Sequence, residues 1–525
     1  MTGEWWKSAV FYQVYPRSFA DGNGDGQGDL PGLIDNLDYL AWLGIDAIWL
    51  SPFHPSPNAD WGYDVSDYCD VHPDFGTLDD FETLLDEAHR RDIRVIGDLV
   101  MNHTSDQHPW FRESRSSTNN PKRDWYVWHQ GDEPPNNWIS VFGGPAWTRD
   151  DATGEWYYHF FLPGQPDLNW NNPEVVEAMW DVVRFWLDLG LDGFRLDAVG
   201  TIFEDPEMRD HTADFEMIHL VNDRLEPVPR LGDRWKDLLG RQLDLPRLHD
   251  VMRDLRSVVD EYDDRVLIGE TDDVAFYGTG DDELHLVFNF SLMRTKTMDA
   301  AHVLENQANR HAEMPAGAWP CTTTGNHDAS RARTAFGAPP EDLTQARLWA
   351  ALPLLLKGTP VLYYGEEIGM ENYPFNELHQ LRDPIGGWYF RDAVDILGYD
   401  VDTALERALR FSRDRCRTPM QWTAESQAGF TDGEPWLPVH PNHREGISVA
   451  AQRHDPDSLL AWYRTLMALR RSHPAIAIGD YGPLSTEAEP VLVFERFTDT
   501  DRVVVAVNFT AAAHDVEEPD GLTAT

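Results

Sequence analysis

The chain has little with which to cross-link itself. Its 525 residues include 3 cysteines, Cys69, Cys321 and Cys416, an odd and scattered set that excludes a disulfide framework. No CxxC pair offers a zinc site. No stretch approaches the ~20 uninterrupted apolar residues of a membrane-spanning helix. Residues 1–7 (MTGEWWK) lack the charged and apolar regions of a secretory signal. These absences predict a soluble cytoplasmic protein with no membrane partner. Lysine is scarce too: of 43 Lys plus Arg only five are Lys, against 90 Asp plus Glu and a formal charge of −47. Such an acidic surface repels nucleic acid and anionic lipid, which excludes both as partners. The lysine shortage fits a salt-rich cytoplasm or a GC-rich genome that favours arginine codons, and the second is the simpler reading.

What is present is a large core. Hydrophobic residues make up 42% and aromatics 12%, including 21 Trp. Aromatic faces suit the apolar sides of sugars, although most of these rings must be core. Eight short apolar, β-rich runs recur along the chain, at residues 10–15, 47–50, 95–100, 193–196, 266–269, 286–290, 321–324 and 361–364. Segments of helical period such as 78–91 and 173–189 lie between several of them. Eight strands alternating with helices predict an α/β fold, a (β/α)8 TIM barrel. Residues 104–170 are rich in Trp, Pro, Asn and Gly without a helical period and read as an inserted domain after strand 3. Residues 371–422 form another long insertion, with an acidic helical piece near 392–410. After a last helix at 458–472, the runs 491–497 (VLVFERF) and 503–509 (VVVAVNF) predict a small C-terminal β-domain. The expected division is therefore 1–103 with 171–472 for the barrel, 104–170 for the insertion and 473–525 for the β-domain.

Barrels place their chemistry at the C-terminal ends of their strands. The third run closes through Asp98-Leu99-Val100-Met101-Asn102-His103; the fourth ends in Arg195-Leu196-Asp197; Gly269-Glu270 closes the fifth; and Asn326-His327-Asp328 follows the seventh. Singly, a strand-end Asp is often a helix cap and a strand-end His a satisfied core residue. Jointly, several carboxylates on one rim raise each other's pKa, a poor way to stabilise a fold and a good way to run acid–base chemistry. A second signal is Asp21-Gly-Asn-Gly-Asp-Gly-Gln-Gly-Asp29. Oxygen side chains at alternate positions separated by Gly suit a hard cation, the donors being Asp21, Asn23, Asp25, the Gln27 carbonyl and Asp29.

The blocks DLVMNH at Asp98, GFRLDAV at Gly193, GETDD at Gly269, TGNHD at Thr324, QPDLN at Gln165 and RTPMQW at Arg417 occur in one order. In them the sequence resembles the α-amylase superfamily of glycoside hydrolases (family 13), and within it the α-glucosidase and oligo-1,6-glucosidase group. The resemblance spans about residues 5–472. It implies Asp197 as nucleophile, Glu270 as acid/base and Asp328 as the assisting carboxylate. Arg195 would hold Asp197 ionised, and His103 and His327 would bond the same sugar. By the same resemblance Asp60 pairs with Arg417 to close a pocket around one terminal glucose, Tyr63 stacks on that sugar, Phe161 walls it and Gln165 belongs to the substrate site. Relatives carry Ca2+ or Mg2+ in a loop like that at 21–29, in a structural role.

These features lead to the expectation of a retaining, exo-acting α-glucosidase on di- and oligosaccharides, as monomer or homodimer. Ala198 after the nucleophile points to α-1,4 links, whereas QPDLN points to the oligo-1,6 side; Ala198 stands nearer the chemistry. Alternatives are an oligo-1,6-glucosidase, a trehalose- or sucrose-type isomerase or transglucosidase, and a polymer-acting amylase. A non-catalytic transporter heavy chain is disfavoured by the intact carboxylates, and the loop of sucrose isomerases (RLDRD) is not visible near 290–299. The family's C-terminal domain usually runs further than residues 517–525, which predicts a shortened sandwich.

Overall fold

The computed structural model describes residues 4–225, 232–243, 245–295, 297–337, 343–486 and 490–516. Residues 517–525, where the shortened sandwich was expected to end, lie outside them. All eight sequence runs form strands. They are β1 (Phe11–Val14), β2 (Ala47–Leu50) and β3 (Arg94–Val100) before the insertion, then β7 (Gly193–Asp197), β8 (Val266–Gly269), β9 (Leu286–Val287), β10 (Cys321–Thr323) and β11 (Thr359–Tyr363) after it. The parallel sheet runs β10-β11-β1-β2-β3-β7-β8-β9, and a single parallel bridge from Phe288 to Cys321 brings its two ends together.

The strands are apolar on both faces because each face is covered. In β2, Ala47 and Trp49 join the interior cluster with Phe11, Ile96, Ile268 and Val361, while Ile48 and Leu50 pack outward under the helices. Those helices are punctuated locally. Thr77 and Asp80 form a capping box at the start of Leu78–His89. Asn172 caps Pro173–Leu189, which stops at Gly190 in the left-handed conformation.

Between β3 and β7 the insertion carries a small antiparallel sheet of β4 (Trp128–His129), β5 (Trp147–Arg149) and β6 (Trp156–Tyr158), in the order β4-β6-β5. The segment returning to the barrel is bridged to it from Asp167 to His103, and a bridge from Leu168 to Tyr126 holds it within the insertion. The helical piece expected near 392–410 is two helices, Pro384–Asp395 and Val401–Phe411. They are separated at Gly398, whose φ of +69° breaks the helix. At the C-terminus the two predicted runs are β13 (Val491–Phe497) and β14 (Arg502–Asn508), joined by an unforeseen β12 (Asp480–Pro483). Arg496 holds this sheet to the barrel by donating to the carbonyls of Leu355, Leu356 and Gly479. Among the described residues no helix is long and apolar enough to cross a membrane.

Candidate active site

Register puts the first two charges together. Asp98 of β3 lies opposite Arg195 of β7, so both point into the barrel, and Asp197, two residues on, faces the same way. Arg195 is 2% exposed. Its Nη1 donates to Asp98 at 2.5 Å and to Asp197 at 2.7 Å, and its Nη2 meets Glu270 at 2.8 Å. Trp49 Nε1 donates to the other oxygen of Asp98 at 3.0 Å. The chain leaves β7 through Ala198 at φ 44°, ψ 44°, a left-handed step that turns the Ala198 amide onto Glu270 at 3.0 Å.

Three carboxylates thus share one guanidinium. Burial drives the Asp98 carboxyl up to about 6 against the pull of Arg195. Burial likewise raises Asp197 well above the carboxylate range, with Glu270 and Asp98 adding to the shift and Arg195 opposing it. One positive charge cannot neutralise three negative ones, so the cluster favours keeping a proton, the condition for a carboxylic acid to act at neutral pH.

A second group faces the first across the rim. Burial works against ionised Asp328, but Arg413 and Arg417 outweigh it and hold this carboxyl far below its ordinary value. Arg417 bonds directly to Asp328 and donates through Nε to the His327 carbonyl at 2.8 Å. His327 is clamped between Gln13, 2.7 Å from Nδ1, and the Tyr63 hydroxyl at Nε2. His103 Nε2 lies 3.1 Å from the Tyr63 carbonyl and 3.0 Å from the Gln165 amide. Burial lowers His327 well below its ordinary value and His103 to about 3, so both rings are neutral. Arg413 Nη2 sits 2.6 Å from Asp60 and 2.9 Å from Asp383. Burial raises Asp60; it pushes Asp383 up as well, but Arg413 outweighs that and holds Asp383 below its usual value.

These groups floor a cavity of about 470 Å3, whose wall includes Asp60, Tyr63, His103, Phe161, Asp197, Ala198, Glu270, Asp328 and Arg413. An acidic pair over one arginine, an ionised acid opposite, and aromatic walls at the mouth of a parallel barrel can hold a neutral polyhydroxylated ring and protonate its substituent.

The sequence matches the description "Alpha amylase, catalytic domain" over residues 13–479. The chain belongs to the α-amylase family of glycoside hydrolases. It is 38% identical to the oligo-1,6-glucosidase of Parageobacillus thermoglucosidasius, across 98% of this chain and 92% of that one. It is 40% identical to a probable alpha-glucosidase of Rhizobium meliloti (strain 1021), across 98% and 91%. Among solved structures, the trehalulose synthase MutB from Pseudomonas mesoacidophila MX-45 is similar with a TM-score of 0.89 and 37% identity, covering 99% of this chain and 94% of that one.

For this glycoside hydrolase the geometry corrects one expectation. Asp60 does not pair with Arg417; its partner is Arg413. Both arginines follow the helix Val401–Phe411, but Arg413 opens the short 3-10 turn Arg413–Cys416 and reaches the cavity wall. Arg417 ends that turn, is fully buried and points back at Asp328. Gln165, Arg195, His327 and Arg417 stand behind the wall and hold those that line it: Gln165 links Asp60, at 3.3 Å, to His103. Sequence reasoning missed Arg413 and Asp383. It left Asp98 without a role, although a carboxylate inside an otherwise apolar strand was the available signal.

The loop at 21–29 is folded around its own oxygens. Asp21 accepts from the amides of Gly24 and Gly26 at 2.7 and 2.8 Å, Asn23 from Asp25 at 2.9 Å, and Asp25 from Gln27 at 2.9 Å. Asp29 accepts from Gly22 and caps the next helix at Gly32. Gly26 has φ +94°, and a Cβ there would strike the Glu434 carbonyl. Among the described residues no three His, Cys, Asp or Glu side chains gather to hold a metal by themselves. A cation here therefore needs the Asn23 amide oxygen and the Gln27 carbonyl as well. The all-oxygen set is of the kind that suits a hard ion; burial, with the nearby Asp21 charge adding, raises the Asp29 carboxyl.

Proposed function

We propose that this enzyme is a retaining, exo-acting α-glucosidase that removes single glucose units from the non-reducing ends of short α-glucosides, with α-1,4 links preferred. The observation that carries the reading is the Arg195 guanidinium, which bonds both Asp197 and Glu270. Two carboxyls on one such group favour the close spacing of a retaining pair, about 5–5.5 Å, over the ~6.5–9.5 Å that leaves room for an inverting water. Asp197 attacks the anomeric carbon while Glu270 gives its proton to the departing oxygen. Water, deprotonated by Glu270, then displaces Asp197. Asp328, kept ionised by its arginines, grips sugar hydroxyls most strongly as charge develops. The Asp60–Arg413 pair closes the far end, which suits one terminal glucose and excludes a continuing chain.

The test is kcat/KM on maltose and isomaltose. Faster maltose cleavage agrees with the small Ala198 beside Asp197, and Ala198→Val should then lower the maltose-to-isomaltose ratio by about tenfold. Faster isomaltose cleavage by the unaltered enzyme sinks the α-1,4 preference and leaves an oligo-1,6-glucosidase. A second reading, glucosyl isomerisation, is supported by the likeness to trehalulose synthase. It predicts that sucrose is consumed without release of free glucose.

The loop at 21–29 is proposed to hold one Ca2+ or Mg2+ in a structural role. Chelation should lower the melting temperature, and Ca2+ at a hundredfold excess over its Kd should restore about 2.7 kcal/mol. Asp21→Ala should remove that response. An unchanged melt in EDTA would argue against a resident cation.

A further inference from the structure

Glu270 stands at the apex of a three-residue turn, since the Thr271 amide donates back to the Gly269 carbonyl at 2.9 Å. The incoming leg of this turn is held by β8 and by the Glu270 amide, which donates to the Leu196 carbonyl at 3.0 Å. The outgoing leg, Thr271-Asp272, lies outside any strand. Arg310 anchors it instead. This residue is on the helix Ala300–Glu313 and is 5% exposed. Its Nη1 donates to the Asp272 carbonyl at 2.7 Å, and its Nη2 to the carbonyls of Val287 and Phe288 at 2.8 and 3.0 Å. One planar guanidinium thus ties the turn behind Glu270 to the end of β9, where the sheet itself offers few bonds. The Asp272 carboxylate also bonds Ser291, but at the surface, where water competes.

We infer that Arg310 is a positioning residue for proton transfer, holding Glu270 through the Asp272 carbonyl where it can protonate the leaving oxygen and later deprotonate water. This rests on the acid/base reading of Glu270 given above. The plainer alternative is that Arg310 only satisfies carbonyls left over by a short strand, which gives stability and does nothing for the chemistry. The two differ in which substrates suffer. A sugar leaving group needs a proton from Glu270, whereas fluoride leaves α-glucosyl fluoride as a weakly basic anion and needs none. A turn loosened by about 1 Å costs on the order of a hundredfold where that proton is needed.

The experiment compares kcat/KM, which reports formation of the glucosyl-enzyme, on α-glucosyl fluoride and on the better of maltose and isomaltose. Arg310→Gln should lose about a hundredfold on the disaccharide and less than about threefold on the fluoride. Arg310→Lys keeps the charge but cannot span three carbonyls. It should show the same split, at about tenfold on the disaccharide. Melting curves establish which variants are folded, and the lysine variant decides if the glutamine variant is not. Equal losses on the two substrates, or no loss on either, overturn the inference. Glu270→Gln, run alongside, should show the split most strongly. If it shows none, the acid/base reading fails and this inference falls with it.

Discussion

Asp197→Asn should lower kcat on every α-glucoside by at least about 10^4-fold, since losing one member of a catalytic unit costs on that order. Asparagine keeps the shape and one hydrogen bond to Arg195 but cannot form the glucosyl ester. Residual turnover within tenfold of the unaltered enzyme would mean that the covalent mechanism is wrong. The same variant carries a stability signature of definite sign. Burial, with Glu270 and Asp98 adding, raises the Asp197 pKa well above its unfolded value. A group shifted that way stabilises the fold while protonated, and the contribution is lost as pH rises through the raised value. The neutral amide does not suffer that loss. Asp197→Asn should therefore melt at or above the temperature of the unaltered enzyme at pH 7, with the difference narrowing toward pH 4. A lower melting point at pH 7 would mean that the Arg195 bond outweighs the crowding of acids.

Arg413→Ala should cost about 3–5 kcal/mol of stability and remove most activity, because it strands buried partners rather than deleting a surface ion pair. Asp60 and Asp383 are both buried, and both depend on the same Nη2. Arg413→Lys should rescue little, since an ammonium cannot reproduce the two-pronged contact with Asp383. A double-mutant cycle settles the pairing that sequence reading misassigned. Asp60→Asn and Arg413→Ala should be non-additive by on the order of 1–3 kcal/mol, while Asp60→Asn and Arg417→Ala should add nearly independently. The reverse pattern would restore the Arg417 assignment.

The misassignment shows where legibility ends. Strand runs such as 47–50 and 266–269 read correctly because a strand covered on both faces leaves an uninterrupted apolar signal. Asp197, Glu270 and Asp328 were found because strand ends carry the site in a barrel, so position along the chain implies position in space. Arg413 and Arg417 are both two-to-six residues beyond a helix, and only the tight turn between them decides which one faces the cavity. Asp383 acts from 30 residues before its partner Arg413, with no periodicity to announce it. Strand β12 of the C-terminal sheet was missed for a local reason: Asp480–Pro483 contains Gly and Pro, which mask an edge strand.

The barrel's closure also decides how the enzyme will fail. Strand β9 is two residues long, and one bridge joins Phe288 to Cys321, whereas the other neighbouring strands share two to four register pairs. A crack along this seam needs little energy compared with global unfolding. Glu270 follows β8 on one side of it and Asp328 follows β10 on the other, so a small parting would separate the proton donor from the carboxylate that grips the sugar. Heat should then silence the enzyme while most of its amides are still protected from exchange, with those of 286–288 and 321–323 the first to open.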